Sequence, residues 1–138
     1  MIFVDTSYWV ALRNRRDPHH EEAVRLLERW SDSGWVTSNH VRGETWTYLR
    51  RRAGHGSAVE FLDATAGTRR LRLHNVDPAT EETALRWLRQ HDEREYSFVD
   101  ATSFAVMRAL RLRNALAFDG DFSAAGFVEL REDEMAGG

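Results

Sequence analysis

The chain has 138 residues, enough for one domain with a single continuous core. Its 42% hydrophobic and 30% charged content is that of a soluble globular protein, and a net charge of −3 excludes a generic basic nucleic-acid binder. The absence of cysteine excludes disulfides and thiolate metal sites and suits a reducing compartment.

In chain order, "IFVD" at 2–5 reads as a short buried strand, and "TSYWVALRN" as a helix opening near Thr6 or Ser7. "DPHHEEAVRLLERW" reads as a helix with Asp17 as N-cap and Pro18 at its first position. Ala23, Leu26, Leu27 and Trp30 fall on its core face. "WVTS" is a second strand, and Ser38 caps a helix that runs to about Arg52 and ends at Gly54. A helix near 57–66 ends at Gly67, and "LRLHNV" is a third strand. Asp77-Pro78 opens the next helix, with Ala84, Leu85 and Leu88 inward. "SFVDATSFAVMRALRLR" is apolar almost all round, so it belongs at the centre. "ALAF" is a fourth strand, "FVEL" at 127–130 an edge strand, and from about residue 131 we expect a frayed tail.

Short strands alternating with helices give an α/β fold, a short parallel sheet of four to five strands flanked by helices. The whole chain, 1–138, is expected to be a single domain; "GHG" at 54–56 is a turn between helices. The start "MIFVDTSYWVALRNRR" lacks the basic opening and unbroken apolar run of a signal peptide. No apolar stretch approaches the roughly 20 residues that cross a bilayer. We expect no membrane association and a cytoplasmic protein.

Parallel α/β sheets bind ligands beyond the carboxyl ends of their strands. Asp5 ends the first strand, and Asp119 and Asp121 follow the fourth around Gly120. Asp100 lies in the first turn of the helix feeding that strand, hence on the same rim. Glu44 lies in the second turn of the helix after the second strand; Val41, Glu44 and Tyr48 share one stripe, read as the inward one. Taken singly, Asp5 and Asp100 also suit helix caps and Asp121 a turn. Together, five carboxylates from four segments repel and partly protonate unless positive charge joins them. Arginine or lysine pairing is one solution and a divalent cation the other. Oxygen-only ligands favour Mg²⁺ or Mn²⁺ over Zn²⁺. Such an ion takes substrate phosphate as a ligand and supports phosphodiester hydrolysis. The six histidines never form H-E-x-x-H, and no Gly-rich phosphate loop or G-x-S-x-G is present.

"FVDTS", "NHVRGETW", "YSFVDATSFAVM" and "LAFDGDF", in this order, resemble PIN-domain ribonucleases and more narrowly the VapC toxins of bacterial VapBC toxin–antitoxin pairs. The resemblance spans about Met1 to Leu130. It implies an endoribonuclease dependent on Mg²⁺ or Mn²⁺, a homodimer, and inhibition by a cognate VapB-type antitoxin. By position, it implies that Asp5, Glu44, Asp100 and Asp119 form the acidic catalytic core. Asp5, Asp100, Asp119 and Asp121 would surround the metal, Glu44 would hold a metal-bound water or position the attacking one, and the hydroxyl of Thr6 would hold Asp5. "TSNHVRGETWTYLRRR", "HDEREYSFVDATSFAVM" and "AFDGDFSAAGF" are similar to the group that cuts the sarcin–ricin loop of large-subunit ribosomal RNA. Other members cut transfer RNA, so rRNA is the expected substrate and tRNA the alternative.

All 19 basic residues are arginine, which forks onto phosphate and stacks on bases; a G+C-rich genome gives the same bias. Arg42, Trp46 and Arg50, at i, i+4 and i+8, form an expected RNA-contact stripe, and Arg69, Arg70 and Arg72 a second basic cluster. Trp46 equally suits the core or a dimer interface, and "RRR" at a helix end suits the helix dipole. Tyr8 and Trp9 are placed to line a groove or to be buried against a partner. A phosphoaspartate enzyme or receiver domain normally sets a lysine beside the phosphoryl group, and this chain has none. "FVDTS" also lacks the second acid of a haloacid-dehalogenase-type phosphatase. A catalytically silent PIN-fold binding module would not need the full set of acids. A DNA-directed nuclease stays open, because a metal site does not itself read the 2′-hydroxyl.

Overall fold

The computed structural model describes residues 1–133. Strands β1 (Ile2–Val4), β2 (Trp35–Ser38), β3 (Leu71–His74), β4 (Asn114–Leu116) and β5 (Val128–Glu129) form one parallel sheet in the order β3-β2-β1-β4-β5. Parallel neighbours need crossover connections, and helices supply them. They are α1 (Thr6–Arg13), α2 (His20–Trp30), α3 (Asn39–Arg52), α4 (His55–Ala66), α5 (Pro78–Gln90), α6 (Phe98–Ala109) and α7 (Asp121–Ala124). The chain winds outward from β1 through β2 and β3, then returns to the other side of β1 for β4 and β5. The order therefore reverses between β1 and β4. A crevice opens at such a switch point, outside the carboxyl ends of the two strands.

Local chemistry explains most boundaries. β1 and β2 are buried throughout, and Thr37 Oγ1 in β2 donates to the Val4 carbonyl at 2.8 Å. Ser38 Oγ caps α3 by accepting the Val41 N–H at 3.1 Å. Asp77 caps α5, with Pro78 first in the helix. In α6, residues from Asp100 to Met107 are all buried, as an all-round apolar helix must be. Phe104 sits at its centre among Trp87, Tyr96, Phe122 and Phe127.

Several expectations are corrected. Asp17-Pro18 opens a turn, and α2 starts at His20: the Asp17 carboxylate accepts the His19 N–H at 2.8 Å, an Asx turn just before the helix. Leu27, one step round from fully buried Leu26, is 37% exposed. β4 stops at Leu116 because the Phe118 N–H turns to Ser7 Oγ at 2.9 Å instead of a strand partner. The one-turn α7 follows Gly120, whose φ of +82° lets the chain reverse. Tyr8 is buried within the chain itself, its Oη donating to the Ala23 carbonyl at 2.7 Å, whereas Trp9, though mostly buried, does line a groove, an apolar one with Leu12, Trp35 and Phe61. At the expected tail, Arg131 donates to the Ala117 carbonyl at 2.6 Å and Glu132 pairs with Arg25, so these two residues are anchored; residues 134–138 lie outside the described ones. No helix among the described residues is long and apolar enough to cross a membrane.

Candidate active site

A cleft of about 510 Å³ opens at the β1/β4 switch point, with Asp5, Glu44, Asp100, Asp119 and Asp121 all in its lining. Asp5, at the end of β1, is 2% exposed and caps α1. Its Oδ2 accepts the Ser7 N–H at 3.0 Å and the Ser7 hydroxyl at 2.7 Å. Since Ser7 Oγ also accepts the Phe118 N–H, one hydroxyl locks the end of β1 to the end of β4. The residue that holds Asp5 is thus Ser7, not Thr6. Thr6 lines the cleft, but its hydroxyl accepts from Thr45 Oγ1 at 3.3 Å and ties α1 to α3. The first turn of α1 directs the second hydroxyl, not the first, back to its cap.

Asp100 forms a capping box with Ser97. Asp100 Oδ2 accepts the Ser97 N–H at 3.0 Å, and Ser97 Oγ accepts the Asp100 N–H at 2.9 Å. Capping and facing the cleft are therefore compatible: one oxygen serves the helix and the other is left for the site. Asp119 Oδ1 accepts the Asp121 N–H at 3.1 Å, which curls the turn between them. Two further residues hold this turn and carry no sequence signal of their own. Arg94 donates through Nε to Asp121 Oδ1 at 2.6 Å and through Nη2 to the Asp119 carbonyl at 3.0 Å. Glu129, buried in β5, accepts the N–H groups of Gly120 at 3.2 Å and Ser123 at 2.9 Å. His19 stacks on Phe118 at 4.5 Å in the cleft wall.

One carboxylate oxygen each from Asp100, Asp119 and Asp121 lie within 4.8 Å of one another. Oxygens facing each other across Mg²⁺ are about 4.2 Å apart, so a small closing of these side chains around one ion suffices. Asp5 is outside that closest trio but faces the same cleft. Burial pushes the Asp5 carboxyl up to about 7, helped by the negative charge of Asp119 and Glu44. Burial likewise raises Asp100 to about 7 against the pull of Ser97, and Asp5 and Asp121 add to the rise. Asp119 is also raised to about 7, by loss of water around its carboxyl and then by Asp121, Asp100 and Glu129. It is the most exposed of the three as a residue, so water screens its charge best. Arg94 pairs with Asp121 alone; among the described residues no cationic group pairs with the carboxyls of Asp5, Asp100 or Asp119. An all-oxygen donor set short of positive charge fits a hard divalent cation.

Glu44 is half-buried, and its stripe is not the core stripe of α3. Val41, Thr45 and Leu49 are buried, whereas Tyr48 is 40% exposed and shares the cleft lining with Glu44. The expected RNA-contact residues lie elsewhere. Arg42 lines a separate cleft with Thr37 and Leu73. Trp46 packs against the core and meets His55 edge-on at 5.8 Å. Arg50 is exposed, six residues from Glu44 and so about 120° away round the helix. None of the three reaches the acidic cleft.

The PIN domain family profile matches residues 2–128. The chain is 57% identical over 135 residues to the 23S rRNA-specific endonuclease VapC20 of Mycobacterium tuberculosis, in strains CDC 1551 and H37Rv alike, covering 96% of this chain and 100% of that protein. The crystal structure of M. tuberculosis VapC20, described as a sarcin–ricin loop cleaving toxin, matches with a TM-score of 0.90 at 55% identity, over 95% of this chain and 99% of that one. VapBC2 from Rickettsia felis, bound to a DNA fragment from its promoter, matches with a TM-score of 0.70 over 94% of this chain and 98% of that one; at 14% identity it shows the shared fold alone.

Proposed function

We propose a function from one premise: the chain belongs to the PIN-domain family, in its VapC branch. The protein is an endoribonuclease toxin that hydrolyses a phosphodiester bond in the sarcin–ricin loop of 23S rRNA and so stops translation. The carrying observation is the acidic cleft itself, with carboxylates from β1, α3, α6 and the β4–α7 turn brought to the switch point. The target rests on the 57% identity to a 23S rRNA-specific enzyme.

Asp100, Asp119 and Asp121, with Asp5 beside them, would hold Mg²⁺ or Mn²⁺. Such an ion, when bound, neutralises charge on the phosphate and acidifies water. Ser7 fixes Asp5 with two hydrogen bonds, so the carboxylate need not reorganise during the reaction. Glu44, adjacent to Asp5, orients the attacking water and takes its proton. Attack at phosphorus breaks the bond to the 3′ oxygen, which takes a proton from solvent water and leaves as a hydroxyl; the phosphate stays on the 5′ end of the downstream fragment. Membership of the VapC branch supports a homodimer and a VapB-type antitoxin as partners, and a ribosomal substrate supports a cytoplasmic site of action.

The test is cleavage of intact ribosomes and of total tRNA by the purified protein, with EDTA and Asp5→Asn as controls. Asparagine keeps the oxygen that caps α1, so the variant stays folded. The expected result is one cut in 23S rRNA, lost in EDTA and reduced more than about 100-fold by Asp5→Asn. Cuts confined to tRNA would move the target while keeping the chemistry; cleavage that survives EDTA would overturn the metal reading.

A further inference from the structure

The acidic cleft poses an electrostatic problem for its own substrate. Phosphates next to the scissile bond would meet Asp5, Glu44, Glu95, Asp100 and Asp119, so attraction must come from outside it. A second groove joins the cleft along α3. Its lining includes Glu44 and Tyr48, shared with the acidic cleft, and continues through His40, Val99, Arg51 and Arg52. The helix period explains the continuity, because positions 40, 44, 48 and 51/52 fall on one side of α3. His40 pairs with Glu81 at 3.2 Å. Arg51 and Arg52 are exposed and make no ion pair among the described residues. The Arg52 guanidinium lies over the Tyr48 ring at 4.9 Å, leaving the 40% exposed Tyr48 beside both the acids and the arginines.

We propose that the Tyr48–Arg51–Arg52 stripe of α3 is an RNA subsite that receives the unpaired nucleotides next to the scissile phosphate. Tyr48 stacks a base, and the two arginines take backbone phosphates. Eight residues from Glu44 to Arg52 span about 12 Å, the rise of about three stacked nucleotides. The proposal rests on the ribonuclease reading above for the identity of its ligand. It assigns RNA contact to the stripe facing the cleft, in place of Arg42, Trp46 and Arg50 on the other sides of the helix.

Arginines in the last turn of a helix also favour its dipole, so the experiment must read RNA contact and not stability alone. A fluorescein-labelled synthetic RNA stem-loop with the sarcin–ricin sequence is titrated with full-length Asp5→Asn protein in Mg²⁺ across a salt series. Adding Arg51→Ala/Arg52→Ala should weaken binding about tenfold and lower the slope of log K against log salt by about 1.4, the value for two single-strand phosphates. Arg86→Ala/Arg113→Ala, an equal charge loss at exposed positions outside both clefts, should leave the slope unchanged. Tyr48→Ala should weaken binding at least fivefold and Tyr48→Phe should restore it, since the ring carries the contact. If the Arg51/Arg52 variant binds like the Arg86/Arg113 variant, or Tyr48→Ala binds like its parent, the subsite is overturned. Cleavage by the wild-type protein is read separately: its absence, with the subsite effects intact, would sink the nuclease reading and leave the subsite standing.

Discussion

Ser7 is the side chain on which the geometry of the site turns, because its hydroxyl serves Asp5 and the Phe118 N–H together. Ser7→Ala strands the part-buried Phe118 N–H and leaves Asp5 with only the backbone N–H of residue 7. Urea denaturation should show a loss of about 1–3 kcal/mol, and RNA cleavage should fall with it. Arg94 has a different role. It supplies charge at Asp121 from an exposed position, so its loss costs the fold little. Arg94→Gln should lower the melting temperature of the metal-free protein slightly and enlarge the rise produced by Mn²⁺, as the ion then supplies the missing charge. A rise equal to that of the wild type would show that Arg94 does not share the acids' field. That acids from separate segments would reach one rim was legible because strand ends and the first two turns of the following helices have a fixed relation to the sheet edge. Ser7 and Arg94 were not. Which of two adjacent hydroxyls faces a carboxylate depends on side-chain direction, and Arg94 sits in an aperiodic loop whose path only tertiary packing decides.

At the scale of elements, β2, the start of α3 and the start of α5 were readable from Trp35–Ser38 and from the caps Ser38 and Asp77, where one local bond decides a boundary. α3 shows the limit of that reading. Its period was visible, but Val41, Thr45 and Leu49 pack inward, while Glu44 and Tyr48 look into the clefts. Choosing among stripes needs the neighbours on every side, which a single helix sequence does not contain. The β4–α7 turn was equally hidden, because Asp119, Gly120 and Asp121 are held by Arg94 and by Glu129 from β5. Gly120 has a φ of +82°, and a Cβ there would stand 3.0 Å from Arg94 Nη2. Gly120→Ala should cost about 1–2 kcal/mol in urea unfolding, loosen the Arg94 clamp and reduce cleavage. Unchanged stability would mean that the turn is not built as described.

For the whole molecule, the acids make stability depend on pH in an uncommon direction. Asp5, Asp100 and Asp119 rise from the usual 3.8 to about 7 on folding, so between those values the folded chain binds protons that the unfolded chain does not. Their contribution to stability is complete below about pH 4 and is lost as pH climbs through 7. Asp77, Glu93 and Glu132, held down by Thr80, His91 and Arg25, act in the opposite sense but only below their usual values of 3.8 and 4.5. The metal-free protein should therefore melt at falling temperature from pH 5 to pH 7.5, and Asp5→Asn should flatten that slope. Mn²⁺ should raise the melting temperature, more so at pH 7.5 than at pH 5, because it displaces protons from the same oxygens. A melting temperature that rises over this interval without metal would contradict the raised carboxyls of the cleft. The central claim is that carboxylates from separate segments meet at the β1/β4 switch point to grip one hard cation. Anomalous diffraction from crystals grown with Mn²⁺ tests it most directly. The account predicts a manganese peak bonded to carboxylate oxygens of Asp100, Asp119 and Asp121, with Asp5 beside it. Manganese found only away from these acids, under conditions in which it activates cleavage, would contradict it.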